Sequence, residues 1–191
     1  MAALLLLPAC GGGSGGGVSG TPSTAPPVST SGAAATTSPV TVDISSRVEM
    51  FTVTDRNHVN GTVDYPQTPP VGGNHAAAWA TCGYYSQPIV TESGVHSMEH
   101  GAVWITFRPS LAAAPRAILK ALAKSNDHVL ASPWANESLP APVVASAWGL
   151  QLKAQSADDP AVTTFVRKYA AGPQAPEPGV TCLRGVGAPE S

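Results

Sequence analysis

Charged side chains are scarce in this sequence and absent from its first 42 residues. Only 12% of the 191 residues are Asp, Glu, Lys or Arg, against about 25% in an ordinary globular domain. The ten Lys and Arg form no basic cluster, and the net charge is −2. Binding to DNA or RNA depends on basic side chains that neutralise phosphates, so we expect no nucleic-acid partner.

Long hydrophobic runs are also missing. The longest, Ala2–Ala9, is far shorter than the ~20 residues that span a bilayer as a helix. Its end, Leu7-Pro8-Ala9-Cys10, resembles a bacterial lipobox. We therefore predict that residues 1–10 are a signal peptide ending in a lipobox, with lipidation at Cys10. No Lys or Arg precedes the leucines, which predicts a translation start further upstream.

The next 32 residues contain neither charge nor aromatic side chains. Residues 11–42 are Gly, Ser, Thr, Pro, Ala and Val, a composition that cannot bury enough apolar area to offset the entropy of ordering. We predict a disordered tether there and one globular domain over residues 43–191, which has the common size of a single domain. The expected location is the outer face of the cell membrane, with membrane contact only through the lipid.

Cysteine is rare as well, with three in the chain. If Cys10 carries the lipid, Cys82 and Cys182 remain as an even pair in an oxidising compartment. The simplest prediction is one disulfide between them. The alternative is that Cys82 is a free thiolate that binds metal beside the histidines.

Strand and helix patterns alternate along the predicted domain. Pro66–Pro88 holds prolines and glycines that exclude a long helix or a central strand, and Asn60-Gly61 predicts a hairpin turn. We predict an α+β fold: a single compact domain with a small β-sheet, two packed helices and a long irregular Pro/Gly-rich loop that carries histidines. The predicted strands are Val48–Thr54, Ala102–Arg108, His128–Ser132 and Val143–Leu152, and the predicted helices have Pro115 and Pro160 in their first turns.

Four of the five histidines lie between residues 58 and 100. The segment from His96 to His100 contains three possible metal donors. If it is extended, His96, Met98 and His100 share one face, and imidazoles with a thioether suit copper, particularly Cu(I). If it is helical, His96 and His100 stay together beside Glu99 while Met98 points away, which suits zinc.

Two other interpretations of the histidines are open. His96-x-x-Glu99-His100 fits the H-x-x-E-H pattern of inverzincin metallopeptidases, in which the Glu is the general base. That pattern requires a long helix, whereas Gly101 and a predicted strand follow at once. Alternatively, the clustered histidines hold the irregular loop together through hydrogen bonds to its carbonyl groups. For the isolated His128 we expect only a structural role.

Several longer runs resemble the domain-of-unknown-function 3105 (DUF3105) family, which is found in exported lipoproteins of the actinobacterial type. The resemblance covers roughly residues 47–182 and implies an exported, often membrane-tethered domain. Its pattern includes both Cys82 and Cys182, which supports their pairing, and at the position of Met98 it also admits Leu. The matching runs include His58–Tyr65, Pro69–His75, Cys82-Gly83, Val95–Trp104, Pro176–Gly179 and Cys182, and the histidine and glutamate positions are His58, His75, His96, Glu99 and His100.

These observations predict a lipoprotein of the cell envelope that binds a transition metal, with copper favoured over zinc, for capture, delivery or sequestration. Turnover is not expected, and no protein partner is indicated. The alternatives are a zinc-dependent hydrolase with Glu99 as general base and a non-catalytic envelope interaction module with structural histidines. The predicted ligands are His75, His96 and His100, with His58 as a fourth and Met98 as an auxiliary donor.

Overall fold

The computed structural model describes residues 12–13, 16–17 and 41–190. The chain divides into two units, Met1–Thr37 and Ser38–Ser191, and the fold and site below belong to the second. The predicted signal peptide with Cys10 lies outside the described residues, as does most of the predicted tether. Within the described part of the chain, no helix combines the length and the apolar character needed to cross a membrane.

Residues 41–190 form one six-stranded mixed sheet with three helices, which confirms the predicted α+β domain. The strand order is β1-β6-β5-β3-β4-β2. Strand β4 pairs in parallel with β3 and β2, and the other neighbours are antiparallel. The strands are β1 (Val48–Met50), β2 (Gly83–Tyr84), β3 (Val103–Phe107), β4 (Val129–Pro133), β5 (Val143–Ala147) and β6 (Leu150–Ala154), and the helices are α1 (Thr91–Glu99), α2 (Ala113–Lys124) and α3 (Pro160–Tyr169).

Alternation along the central strand β3 separates two hydrophobic clusters, because successive side chains of a strand point to opposite faces. Ile105 and its neighbours two residues away belong to the cluster that includes Leu119 of α2 and Phe165 of α3. Trp104 belongs to the cluster that includes Val95 of α1. Helices α2 and α3 therefore cover one face of the sheet, and α1 with the irregular segment covers the other.

Helix α1 approaches the sheet closely because it carries a glycine at the contact. A Cβ on Gly94 would lie 2.8 Å from the ring of Trp104. Any larger residue at this position would therefore push the ring and the helix apart. Trp104 is itself fixed by its indole N–H, which donates to the Ser132 hydroxyl at 3.0 Å. Gly94 thereby sets the height of α1, and of the histidines on it, above the sheet.

Three predicted elements differ from the structure, and one helix was not predicted. The strand predicted at Val48–Thr54 ends at Met50. Val143–Leu152 is not one strand, because Gly149 at φ +70° turns the chain between β5 and β6. Asn60-Gly61 lies in a bend and not in a hairpin, since His58 pairs with His75 instead of with a residue across that turn. Residues 41–190 have three helices where two were predicted, and the additional helix is α1. Helix α3 begins at Pro160 as predicted, and the Asp159 carboxylate caps it by accepting from Ala161 N at 2.9 Å.

A disulfide joins Cys82 to Cys182, as predicted, so Cys82 is not a free thiolate ligand. Both residues are buried, and Cys82 N donates to Cys182 O at 2.8 Å. Further along, Val186 N donates to Trp79 O at 2.8 Å. These bonds hold the C-terminal segment beside the irregular segment that carries the histidines.

Candidate metal centre

The irregular segment brings His58 and His75 together through backbone pairing. Val59 N donates to His75 O at 2.8 Å and His75 N donates to Asn57 O at 3.0 Å, which makes a short parallel bridge. The turn before His75 depends on glycine, because Gly73 has φ +120°, a conformation that side chains with a Cβ disfavour. Two histidines separated by 17 positions thus face each other, with ring centroids 5.1 Å apart.

Helix α1 supplies the other donors from its last turn. His96, Glu99 and His100 are three and four positions apart, so they lie on one side of the helix. All three are at least nine-tenths buried. His100 is the C-terminal capping residue of α1, and its N–H donates to His96 O at 3.2 Å. The helical alternative for this segment is therefore the one that the structure adopts.

The donors of the two segments converge on a small volume. One ligand atom from each of His58, His75, His96 and Glu99 lies within 4.8 Å of the others. Across the two segments, Nε2 of His75 lies 3.0 Å from Oε2 of Glu99. Ligands of one Zn²⁺ or similar ion at about 2.0–2.1 Å lie roughly 3 Å apart. We call these four residues the resting cluster; they could hold a metal ion.

Hydrogen bonds to backbone carbonyls orient the buried rings. Nδ1 of His75 lies 2.8 Å from Gly73 O, and Nδ1 of His96 lies 2.7 Å from Ala76 O. A carbonyl only accepts, so each Nδ1 carries the hydrogen and donates it. The lone pair of each ring is then on Nε2, the arrangement common in metal-binding histidines.

The clearest sign of a missing ligand is at His75. Its side chain is wholly buried, and Nε2 has no hydrogen-bond partner even though Oε2 of Glu99 is 3.0 Å away. With the hydrogen on Nδ1, both facing atoms are acceptors and repel each other. A proton or a metal cation between them removes that repulsion and provides a partner for a nitrogen that is otherwise costly to bury.

Burial also favours the neutral imidazole of His96. Desolvation, opposed by the bond to Ala76 and reinforced by the neighbouring histidines, lowers the pKa of His96 from 6.5 to about 4. A proton therefore competes poorly for this ring near neutral pH, which leaves the nitrogen free for a metal.

The apoprotein is expected to lose stability on acidification between pH 6.5 and about 4. In that range His96 is protonated in the unfolded chain but neutral in the folded one, so unfolding takes up as much as one proton. The free energy of unfolding therefore decreases as the pH is lowered. Urea unfolding in excess chelator at several pH values measures this slope. In His96→Gln the slope should be smaller by up to one proton, and an equal slope in both proteins would contradict the assignment.

Two predicted ligands, His100 and Met98, fall outside the resting cluster, and so does His128. His100 adjoins it, with Nε2 at 3.1 Å from Nε2 of His96. Met98 is buried in the hydrophobic cluster with Val95, because its position two residues after His96 in a helix turns it about 200° away from that histidine. The prediction of Met98 as an auxiliary donor assumed an extended segment and is wrong. Nε2 of His128 donates to Val180 O at 3.1 Å, in keeping with a structural role.

Two further residues, Trp79 and Glu177, lie beside His100 without a local signal for a metal site in the sequence. The ring of Trp79 lies 5.0 Å from that of His100, and Oε2 of Glu177 lies 3.7 Å from His100 Nε2. Glu177 is far along the chain from every predicted ligand. The available signal was its position five residues before Cys182, since the disulfide carries that segment to the histidines.

The fold and the cluster define an α+β domain with a buried group of three histidines and one glutamate that could hold a metal ion. Residues 58–184 match the family described as protein of unknown function (DUF3105). The chain therefore belongs to the DUF3105 family, as the sequence analysis predicted, and the matched region contains the whole resting cluster and both disulfide cysteines. Neither the curated proteins nor the solved structures contain a match to this chain.

Proposed function

We propose that this protein binds one transition-metal ion in the resting cluster, for capture, delivery or sequestration outside the cytoplasm. The observation that carries the proposal is the buried Nε2 of His75, which lacks a hydrogen-bond partner and faces the Glu99 carboxylate at 3.0 Å. His58 completes the set from the solvent side, because it is exposed while its ring stacks on His96 at 4.9 Å.

The donor set favours divalent copper. Three imidazoles and a carboxylate suit ions of intermediate softness, and Cu²⁺ binds most tightly in the usual order of divalent metals. The position of Met98 in the hydrophobic core withdraws the thioether that would have favoured Cu(I). The helical form of the His96–His100 segment and the same four ligands also suit a tetrahedral zinc site. Zinc is the second choice only because Cu²⁺ binds such ligands more tightly.

We further propose that the domain is exported and held at the outer face of the cell membrane by a lipid on Cys10. The lipobox-like sequence before Cys10 supports this location, and so does the Cys82–Cys182 disulfide, since disulfides persist mainly in oxidising compartments. A protein placed there meets metal ions before they cross the membrane.

A zinc-dependent hydrolase with Glu99 as general base is the second candidate. The observation in its favour is that Glu99 lies among the histidine nitrogens and not in the hydrophobic core. Glu99→Gln distinguishes the two functions. If Glu99 is a general base, the variant keeps the metal and loses hydrolysis. If Glu99 is a ligand, the variant binds the metal more weakly.

The full-length protein, purified without a histidine tag, is expected to bind one equivalent of Cu²⁺. At a free concentration 100 times Kd, binding stabilises the fold by about 2.7 kcal/mol, which raises Tm by roughly 5–10 °C for a domain of this size. Metal analysis after gel filtration gives the stoichiometry, and calorimetry with and without chelator gives the shift. No bound equivalent and an unchanged Tm with copper or zinc would instead favour the structural-histidine interpretation.

A further inference from the structure

Beyond the resting cluster, donors continue outward to the protein surface. His100 Nε2 lies 3.1 Å from His96 Nε2 on one side and 3.7 Å from Glu177 Oε2 on the other. The His100 side chain is buried, whereas the Glu177 side chain is 49% exposed. A carboxylate in contact with solvent is thus connected to the buried cluster by one histidine.

The structure holds both outer residues in place. Nδ1 of His100 donates to Thr181 O at 3.0 Å. The lone pair on Nε2 of His100 therefore lies on the side of His96 and Glu177. Glu177 N donates to Glu99 O at 3.0 Å, which places Glu177 beside the end of α1. Prolines at 176 and 178 restrict the backbone on both sides of it.

The spacing allows an ion to move by exchanging one ligand at a time. Two ligands of a single transition-metal ion are roughly 3 Å apart, close to the His96–His100 separation of 3.1 Å. An ion on His100 and Glu177 therefore reaches His96 before it leaves His100. His96 then connects it to His75 and Glu99 of the resting cluster.

We propose that Glu177 and His100 form an entry position through which a divalent metal ion reaches and leaves the resting cluster. This inference rests on the proposed function, because it assigns the route to that same site. The exposed carboxylate attracts the cation, and His100 replaces part of its hydration shell before burial. A step that lowers the barrier acts in both directions, so it speeds association and dissociation alike and leaves Kd nearly unchanged.

The test is a stopped-flow measurement of Cu²⁺ binding to the full-length protein, followed by tryptophan fluorescence, with release measured after a chase of excess EDTA. Trp79 lies close enough to His96 and His100 for bound Cu²⁺ to quench it. The variants are Glu177→Gln and His100→Gln. Glu137→Gln, an exposed carboxylate that accepts from Ser110, is the matched control for the loss of one negative charge.

Glu177→Gln is expected to slow association and release by about tenfold each, within the range of electrostatic effects on association, with Kd unchanged within about threefold. Its association rate should also depend less on ionic strength, and Glu137→Gln should match the unmodified protein. Unchanged rates in both Glu177→Gln and His100→Gln would overturn the entry position and indicate entry past His58. Weaker binding with an unchanged association rate would also overturn it, since Glu177 would then be an ordinary ligand. If the unmodified protein binds neither Cu²⁺ nor Zn²⁺, the proposed function itself fails.

Discussion

Replacement of His75 by glutamine is expected to abolish tight metal binding while leaving the protein folded. His75 is wholly buried, and its Nε2 faces Glu99 without a hydrogen-bond partner. Loss of a group that merely orients a ligand costs 10–100-fold in metal affinity, so we expect loss of this ligand to cost at least about 100-fold. Competition with a chelator of known affinity measures the change, together with the metal content after gel filtration.

The control for this substitution is His128→Gln. His128 lies outside the resting cluster. Within residues 41–190, its ring makes one hydrogen bond, to the backbone carbonyl of Val180. This variant should retain one equivalent of metal with unchanged affinity. Stoichiometric binding of normal affinity in His75→Gln would contradict the assignment, and the two circular dichroism spectra show whether both proteins are folded.

Local spacing was sufficient to place His96 beside Glu99, although Glu99 was predicted only as a possible general base and not as a ligand. His96 and Glu99 are three positions apart, and a helix places such residues side by side whatever the rest of the chain does. The choice between helix and strand was not local. Gly94 has poor helix propensity, and α1 is stabilised there by its contact with Trp104 of β3, which no short window of sequence contains.

The other two residues of the cluster depend on tertiary structure. His58 and His75 were singled out by their position near the other histidines, but their pairing comes from a parallel bridge between two irregular segments. Such a bridge has no periodic signature in sequence. Glu177 likewise could not be predicted from local sequence, because the segment that ends at the Cys82–Cys182 disulfide brings it to His100.

The sheet was predicted better than the site because its strands are buried. Val103–Phe107 and Val129–Pro133 are completely buried, and such strands appear in the sequence as short apolar, β-branched runs. The strand predicted at Val143–Leu152 failed only at Gly149, where a positive φ converts one run into two paired strands. Turn geometry, and not strand propensity, was the missing information.

Removal of the disulfide by the double substitution Cys82→Ala and Cys182→Ala is expected to lower stability more than any other change considered. The bond closes a loop with a sequence separation of 100 residues, for which loop-closure entropy gives up to about 4–5 kcal/mol. A loss of about 4 kcal/mol corresponds to a decrease in Tm of roughly 8–16 °C. Calorimetry of the apoprotein measures it, and a loss below about 1 kcal/mol would contradict the expectation.

Metal binding by the same variant separates the structural role of the cysteines from a role as ligands. The rings of His75 and His96 are held by the carbonyls of Gly73 and Ala76, neither of which depends on the disulfide. Below its lower Tm, the double variant should therefore still bind one equivalent of Cu²⁺. The His100 ring, in contrast, is held by the segment beside Cys182, through Thr181 O. Because His100 belongs to the proposed entry position, the double variant is expected to show slower Cu²⁺ exchange with a nearly unchanged affinity.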